Sequence, residues 1–378
     1  MRICLYTETA LPKLGGQETV VDCLARQYLQ LGHEVTVLAP HPRLPLRAAD
    51  GSLPYRVVRH PRFYSTRRLV DLYRFFLLRL LRRTPFDLLH CHGLYPSGYL
   101  AALSKPKIDI PILLTSHGGD VYENNVRVRK PILKRRHEIA VRSADRLIAI
   151  SRFTRDGFLR FGASAERIVD IPNGVEIEAF TTPAERPVNL DPAIQPNAYF
   201  LFVGRLARRK GVDVLLRALA RLPRSPVVRL VVAGDGDERS SLEQLAGELG
   251  LSDEVRFVGP AYGQTKTYLF QNALCTVVPS RTWEAFGLIV LESYAASRPV
   301  IATRHPGLAD LVQPDVTGQL VESESVEELA AAMQKMIGEP ARAGEMGRAA
   351  SKFVADYSWR AVAQRHLSLY QQLIPDPA

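Results

Sequence analysis

Short runs of apolar residues alternate with amphipathic segments along this chain, in two successive series. The first series begins with apolar runs at residues 3–6 and 35–38, on either side of a helical pattern at about 18–31. Further short runs follow at residues 88–90, 112–115 and 146–150. Strands that alternate with helices in this way form parallel sheets with helices on their faces. The pattern therefore predicts an α/β fold.

A second series of strands and helices starts near residue 199, after a proline-rich segment at 181–197. Its predicted strands lie at 199–204, 227–233, 255–259, 276–279 and 299–302, and its predicted helices include 212–222 and 241–249. A length of 378 residues suits two domains of ordinary size. We predict two Rossmann-like parallel-sheet domains, residues 1–180 and 198–358, that face each other across a cleft. The proline-rich segment is predicted to link them.

Two glutamates, Glu284 and Glu292, flank an apolar stretch that begins with Phe286 and Gly287. A helix that starts near Phe286 would advance roughly two turns by Glu292, at about 3.6 residues per turn. One carboxylate would then precede the N-terminus of the helix and the other would project from its flank. Free backbone N–H groups at such an end suit a diphosphate, and carboxylates accept hydrogen bonds from sugar hydroxyls. The alternative is an ordinary solvated helix, but the stretch is too apolar for one.

With this glutamate pair the chain resembles glycosyltransferase family 4, the retaining GT-B enzymes with Glu, seven residues and Glu as signature. The resemblance implies that Glu284 contacts the transferred sugar and that Glu292 holds the ribose hydroxyls. It further implies that the backbone at Phe286, Gly287 and Leu288 meets sugar and phosphate. In this family a last helix, here at 359–374, crosses back to the N-terminal domain.

A basic loop, with Arg205 and Lys210 between Gly204 and Gly211, follows the first strand of the second series. Charged donors stabilise a phosphate leaving group strongly, and both residues match the family's phosphate-binding Arg and Lys by position. The loop is not a Walker A motif, because Gly211 replaces the Ser or Thr that would bind magnesium. A basic surface loop is the alternative interpretation.

The first strand of the chain is followed by Gly15 and Gly16, where the family carries a flexible loop against the donor phosphates. Glycine lets backbone N–H groups approach an anion closely, although a tight turn would explain the pair as well. The third glycine of the dinucleotide fingerprint is missing both here and at Gly234–Gly236. A hydride-transfer enzyme is therefore disfavoured.

Three further site residues are predicted after strands. His117 resembles the family histidine that binds the outer hydroxyl of the donor sugar, and Asp120, in the same loop, is a candidate acceptor contact. The backbone at Val258 is expected to contact the nucleotide base. The pair His90 and His92 is interpreted as structural, with His92 a candidate for lining the cleft.

No metal site or cofactor is predicted. Asp235 and Asp237 flank one glycine at a strand end, which is common turn chemistry, and the resemblance implies that Arg205 and Lys210 replace a metal. The four cysteines lie far apart, so neither a metal cluster nor a disulfide framework is expected.

The net charge of +10 is concentrated in the N-terminal half, where residues 1–180 carry 28 lysines and arginines against 17 acidic residues. Residues 67–83 alternate bulky apolar and basic side chains at helical spacing. Such a helix can lie on an anionic bilayer. Equally, its apolar face can pack on the sheet while the arginines are solvated.

The sequence thus predicts a transferase that moves a hexose-type sugar from a UDP-, GDP- or ADP-sugar to a hydroxyl acceptor, with a lipid-linked acceptor as one option. The family resemblance implies that the enzyme retains the anomeric configuration and needs no metal. A role in cell-surface polysaccharide or glycolipid assembly follows. Without a signal peptide pattern or an apolar run of roughly 18 residues, the expected location is cytoplasmic, with peripheral contact to the inner face of the plasma membrane as an option. The alternatives are an epimerase or phosphorylase of GT-B shape and a non-catalytic bilobal binding protein. A nucleic-acid binder is disfavoured, because no recognisable binding module accompanies the basic charge.

Overall fold

The computed structural model describes residues 1–13, 15–42, 50–61, 70–126, 128–223 and 229–374. The chain forms two compact units. The first unit consists of Met1–Gly174 together with Trp359–Ala378, and the second unit is Val175–Ser358.

The first unit is built on a parallel sheet, which has seven strands within the described residues, in the order β3-β2-β1-β4-β5-β6-β7. Its strands are β1 (Arg2–Thr7), β2 (Glu34–Pro40), β3 (Arg56–His60), β4 (Leu88–His92), β5 (Ile112–Thr115), β6 (Arg146–Ala149) and β7 (Ile168–Asp170). In β1 and β4 nearly every side chain is buried, as expected for central strands of a parallel sheet with both faces covered.

The helices of the first unit are α1 (Gly16–Gln30), α2 (Val70–Arg83), α3 (Tyr99–Ser104), α4 (Pro131–Ser143), α5 (Arg152–Arg160) and, from the end of the chain, α14 (Trp359–Gln371). Their apolar faces form a core with the strands; Leu77 of α2, Val141 of α4 and Phe158 of α5 are completely buried in it.

The second unit repeats the design. Its parallel sheet has six strands in the described part of the chain, in the order β10-β9-β8-β11-β12-β13. These strands are β8 (Phe200–Val203), β9 (Leu230–Ala233), β10 (Val255–Gly259), β11 (Cys275–Val278), β12 (Val300–Thr303) and β13 (Gly318–Val321). The helices are α6 (Ile177–Thr181), α7 (Val212–Ala220), α8 (Arg239–Glu248), α9 (Gly263–Gln271), α10 (Leu288–Ala295), α11 (Pro306–Ala309), α12 (Val326–Gly338) and α13 (Pro340–Phe353).

The two Rossmann-like parallel sheets confirm the predicted fold class. Strands β3, β7 and β13 were not predicted from the sequence. Of the strand predicted at 227–233, residues 227 and 228 lie outside the described residues.

The prediction of a linker at 181–197 is wrong, because this segment is fixed to the second unit. The side chain of Gln271 accepts a hydrogen bond from the Ala184 amide at 2.9 Å and donates to the Thr182 carbonyl at 2.7 Å. Asp191 pairs with Arg256 at 2.5 Å. Proline-rich composition indicates irregular backbone, and here side-chain hydrogen bonds attach that irregular backbone to the second unit.

In the described part of the chain, no helix is both long and apolar enough to cross a membrane.

Candidate functional site

The strand order of the second sheet reverses between β8 and β11, which are direct neighbours. In sheets of this kind, ligands bind beyond the carboxyl ends of the strands at such a switch point. The loop 204–211 leaves β8 at this edge, and the loop 279–287 leaves β11 beside it. The two loops carry the basic segment and the first glutamate that the sequence singled out.

The two loops are in direct backbone contact. Gly211 has a φ of 68°, and a Cβ atom there would lie 2.0 Å from the Pro279 carbonyl oxygen. The Arg281 amide donates to the Arg209 carbonyl at 2.8 Å, and the Arg281 guanidinium forms two hydrogen bonds to Asp213 at 2.5 and 2.6 Å. Glycine at position 211 is therefore required for the close approach, which fixes the basic loop against the glutamate loop.

Glu284 lies at the centre of a charged cluster. Its Oε1 atom accepts hydrogen bonds from Lys210 Nζ at 2.5 Å, Ser280 Oγ at 2.7 Å and Arg209 Nη1 at 3.3 Å. The side chains of Glu284 and Lys210 are only 13% and 18% exposed. Burial alone would raise the pKa of Glu284, but Lys210 and Arg209 outweigh it and lower the pKa below its usual value. The carboxylate stays charged, and Oε2 makes no hydrogen bond to any described residue.

Glu292, about one turn into α10, is held in a similar way. Its Oε1 accepts a hydrogen bond from Lys266 Nζ of α9 at 2.6 Å, while its Oε2 is buried and has no partner among the described residues. A buried carboxylate oxygen without a partner is costly unless a ligand hydrogen-bonds to it. Both glutamates therefore have one oxygen fixed by a lysine and one oxygen available.

Helix α10 begins at Leu288, two residues later than predicted. The reason is Gly287, whose φ of 102° is incompatible with a helix, so that Phe286 remains in the loop with its side chain buried. The amides of Gly287 and Leu288 have no carbonyl of a preceding helical turn to donate to, and neither binds another described group. Of the predicted backbone contacts at Phe286, Gly287 and Leu288, the last two therefore offer unpaired amide donors.

Arg205 lies outside this cluster. Its guanidinium contacts Asp237 at 3.3 Å, and both side chains are largely exposed, at 69% and 85%. Asp235 accepts a hydrogen bond from the following Gly236 amide at 2.8 Å, which is a turn contact, as predicted. Val258 is the second-last residue of β10 and so lies at the same carboxyl edge of the sheet.

In the first unit, the loop after β1 contains the predicted glycines Gly15 and Gly16, the latter being the first residue of α1. The carboxylate of Glu18 is 3% exposed, accepts a hydrogen bond from Thr9 Oγ1 at 2.6 Å and forms an ion pair with Lys13 Nζ at 2.7 Å. A Cβ atom at Gly15 would lie 2.6 Å from Glu18 Oε2. A larger residue at position 15 would therefore displace the Glu18 carboxylate from its place under the loop.

His117 follows β5 in the first unit and is held by its neighbours. Its Nε2 shares a hydrogen bond of 3.0 Å with Nδ1 of His92, and the two rings stack. Burial lowers the pKa of His117 to about 4, against the opposing effect of Asp120 and Glu18. At neutral pH this histidine is an uncharged hydrogen-bonding group rather than a cation.

Asp120, the candidate acceptor contact, has both carboxylate oxygens engaged within the fold. Oδ1 accepts a hydrogen bond from Ser116 Oγ at 2.5 Å, and Oδ2 accepts one from the Leu94 amide at 2.7 Å. These contacts fix the loops after β4 and β5 to each other.

His90 and His92 lie two residues apart on β4, so their side chains are on the same face of the sheet. Their ring centroids are 4.3 Å apart. His90 hydrogen-bonds through Nδ1 to Tyr370 of α14 at 2.6 Å and through Nε2 to Thr115 at 2.8 Å. Both nitrogens of His90 are thus used in the fold, which agrees with its structural interpretation.

The hydrogen bonds of His90 continue into the helices. The hydroxyl of Tyr370 is 2.9 Å from that of Tyr28 in α1, which in turn lies 2.7 Å from His366 Nδ1. Burial lowers the pKa of His366 to about 3 and that of His90 well below its usual value. This chain of polar groups fixes α1 and α14 to β4.

Three residues of the second-unit cluster were not singled out from the sequence: Arg209, Ser280 and Lys266. Arg209 lies in a run of three basic residues, 208–210, and only Lys210 of this run matches a family position. Ser280 lies four residues before Glu284 in the same loop. Lys266 carries no local signal, since a single lysine on a helix 26 residues before its partner is indistinguishable from a surface residue.

Comparisons with known proteins identify the family to which the chain is similar. Residues 14–179 match the sequence profile of Glycosyltransferase Family 4, and residues 191–353 match that of Glycosyl transferases group 1. The chain is 30% identical to D-inositol 3-phosphate glycosyltransferase 1 of Catenulispora acidiphila, over 95% of this chain and 91% of the relative. It is also 30% identical to the phosphatidyl-myo-inositol mannosyltransferase of Mycolicibacterium smegmatis, over 98% and 94% of the two chains.

Solved structures give the same fold. HepE of Anabaena in complex with UDP superimposes with a TM-score of 0.81 at 20% identity, covering 99% of this chain and all of HepE. Sucrose-phosphate synthase of Thermosynechococcus elongatus gives a TM-score of 0.81 at 25% identity, with 99% of each chain covered. The fold and its switch-point site define a GT-B glycosyltransferase. The chain belongs to glycosyltransferase family 4, as the sequence resemblance predicted.

Proposed function

We propose that this glycosyltransferase moves a hexose-type sugar from a nucleoside-diphosphate sugar to a hydroxyl acceptor, with retention of the anomeric configuration and without a metal ion. The observation that carries the proposal is the pair of lysine-anchored glutamates on either side of the α10 N-terminus. Its place in the cell would be the assembly of a cell-surface polysaccharide or glycolipid.

The donor assignment follows from what each group of the second unit offers. The amides of Gly287 and Leu288, at the positive end of α10 and without an acceptor among the described residues, suit the diphosphate. Glu292 Oε2 needs a hydrogen-bond donor, which a ribose hydroxyl supplies. Glu284 Oε2 can accept a hydrogen bond from the sugar. The complexes of HepE with UDP and with UDP-glucose support a uridine nucleotide as the first donor to test.

The catalytic effect would be electrostatic. As the glycosidic bond breaks, negative charge grows on the departing diphosphate, and cations fixed in advance lower that barrier most. Lys210 and Arg209 are fixed by Glu284 and need no reorientation. Arg205, exposed and weakly paired, would have to turn toward the phosphate. A phosphate oxygen of the leaving group would help to deprotonate the acceptor on the same face, as the family resemblance implies, so no side-chain base is required.

The names of the relatives indicate which acceptors to test first. They are an inositol 3-phosphate glycosyltransferase and a phosphatidyl-myo-inositol mannosyltransferase, so inositol phosphates and phosphatidylinositol are the first hydroxyl acceptors to try. His117 remains the predicted contact to the donor sugar, acting as a neutral hydrogen-bonding group.

The test has two stages. Thermal shift with UDP, GDP, ADP and their sugar conjugates identifies the donor, which is then incubated with acceptors in the presence of EDTA. We expect nucleoside diphosphate release that depends on an acceptor, and NMR of the product should give the anomeric configuration of the donor. An isomerised donor without acceptor would favour an epimerase, and sugar transfer to inorganic phosphate would favour a phosphorylase. Binding without turnover of any donor would favour a non-catalytic binding protein.

A further inference from the structure

Helix α2 presents two chemically different faces. Val70, Leu77 and Leu80 are buried in the core of the first unit, while Leu72 and Phe75 remain 50% and 61% exposed. The sequence left open whether the apolar residues of this segment pack on the sheet or face outward. In residues 70–83, which the structure describes, one set of apolar side chains packs in the core and the other set, Leu72 and Phe75, faces outward. Residues 67–69 lie outside the described residues.

The outward part of α2 is strongly basic. Four arginines of the helix, together with Lys107 from the turn Lys105–Lys107, line a groove of about 530 Å³ beside Phe75 and Leu78; the arginines are Arg74, Arg79, Arg82 and Arg83. None of these five cations forms a hydrogen bond or ion pair with a described residue. By contrast, two other cations of the first unit pair with acidic residues, Arg59 with Asp50 and Lys105 with Asp145. Five cations in one groove, without a partner in the part of the chain that the structure describes, repel each other and favour an anionic partner.

The positions of the apolar and the basic residues along α2 indicate what kind of anionic partner binds this face. Leu72 and Phe75 lie in the first half of α2, and Arg79, Arg82 and Arg83 in the second. An anionic bilayer offers both phosphates for the cations and an apolar layer for a phenyl and a leucine side chain. A polynucleotide would satisfy the cations but leave Leu72 in water.

We propose that the exposed face of α2, together with Lys107, docks on an anionic lipid bilayer. Arg79, Arg82, Arg83 and Lys107 bind headgroup phosphates, and Phe75 and Leu72 enter the boundary with the acyl chains. The proposal rests on this surface alone and is independent of the transferase activity.

The test is co-sedimentation of the full chain with vesicles of neutral phosphatidylcholine, alone or mixed with phosphatidylglycerol. The wild type should bind only the anionic vesicles, and more weakly at 0.5 M NaCl. The triple variant Arg79→Gln, Arg82→Gln, Arg83→Gln should lower the partition coefficient about 100-fold, from the contribution of each basic residue near an anionic surface. Phe75→Ser should lower it about 10-fold without changing the net charge.

A matched control removes the same charge from three exposed positions of the second unit that have no ion pair with another described residue: Arg217→Gln, Arg348→Gln, Lys352→Gln. This control should bind like the wild type, and circular dichroism should give the wild-type spectrum for every variant. Equal losses in the control and in the α2 variant would overturn the proposal, because the attraction would then be non-specific. The proposal would also be overturned, in favour of a purely electrostatic surface, if Phe75→Ser bound vesicles as the wild type does. The same conclusion would follow if a 20-base RNA competed with the vesicles and bound the wild type and Phe75→Ser equally well.

Discussion

At the scale of single residues, Glu284 and Glu292 are both held by an ion pair with a lysine. In each, a lysine fixes one carboxylate oxygen and leaves the other available, at distances of 2.5 Å for Lys210 and 2.6 Å for Lys266. A carboxylate fixed in this way presents its free oxygen in a defined direction, which is a requirement for recognising a sugar hydroxyl. The lysines thus position the glutamates as well as supply charge.

Removing Lys210 tests this design. We expect Lys210→Met to lower the turnover of donor and acceptor about 100-fold to 1,000-fold, because the cation facing the leaving group is lost and Glu284 keeps only Arg209 and Ser280. The matched control is Lys335→Met, which breaks an exposed pair with Asp315 of similar length, 2.7 Å. Steady-state kinetics of both variants provide the comparison. If Lys210→Met retains more than a third of the wild-type turnover, the site is assigned to the wrong residues.

At the scale of elements, the start of α10 is set by one glycine. Gly287 has a φ of 102°, and a Cβ atom there would lie 2.8 Å from a methyl group of Leu308. We predict that Gly287→Ala costs about 1–3 kcal/mol of stability and weakens UDP binding about 10-fold, because the amides at the helix start must shift.

The control for this substitution is Gly247→Ala in α8. That glycine is exposed on a helix with no atom within 4 Å of an added Cβ, so alanine should raise the unfolding temperature slightly. Thermal unfolding and calorimetric titration with UDP measure both effects. Unchanged UDP affinity in Gly287→Ala would contradict the assignment of the diphosphate to this helix end.

The secondary-structure elements also show which parts of the fold and of the site can be predicted from the sequence. Strands such as β4 and helices such as α7 were predicted because a local pattern of apolar residues in the sequence specifies them. Strand β13, with the sequence Gly-Gln-Leu-Val, was missed because its pairing with β12 is non-local and its composition is ordinary. In the site, Glu284 and Lys210 were found through motifs, while Lys266 was not, since only the tertiary fold brings it to Glu292.

At the scale of the whole molecule, several buried histidines make the fold sensitive to acid. Burial lowers the pKa of His366 to about 3 and that of His117 to about 4, both far below the usual value of about 6.5 that applies when the chain is unfolded. The unfolded chain therefore binds more protons as the pH falls below about 6.5, and stability decreases toward the folded pKa values. Each histidine should cost about 2 kcal/mol between pH 7 and pH 5.

The variant His366→Gln tests the size of this effect. Its amide can still hydrogen-bond to Tyr28 but does not titrate, so the loss of stability between pH 7 and pH 5 should be smaller by about 2 kcal/mol than in the wild type. Urea unfolding at both pH values measures the difference. The exposed His41→Gln is the control and should follow the wild type, and an identical loss in His366→Gln would show that this histidine does not govern acid sensitivity.

The central claim is that the switch point of the second unit binds the nucleoside diphosphate of a sugar donor. A crystal structure of the protein with UDP tests it most directly. We predict that the β-phosphate accepts hydrogen bonds from the amides of Gly287 and Leu288, and that a ribose hydroxyl donates to Glu292 Oε2. A structure in which UDP is bound with its diphosphate away from the start of α10, and with Glu292 Oε2 still unpartnered, would contradict the account.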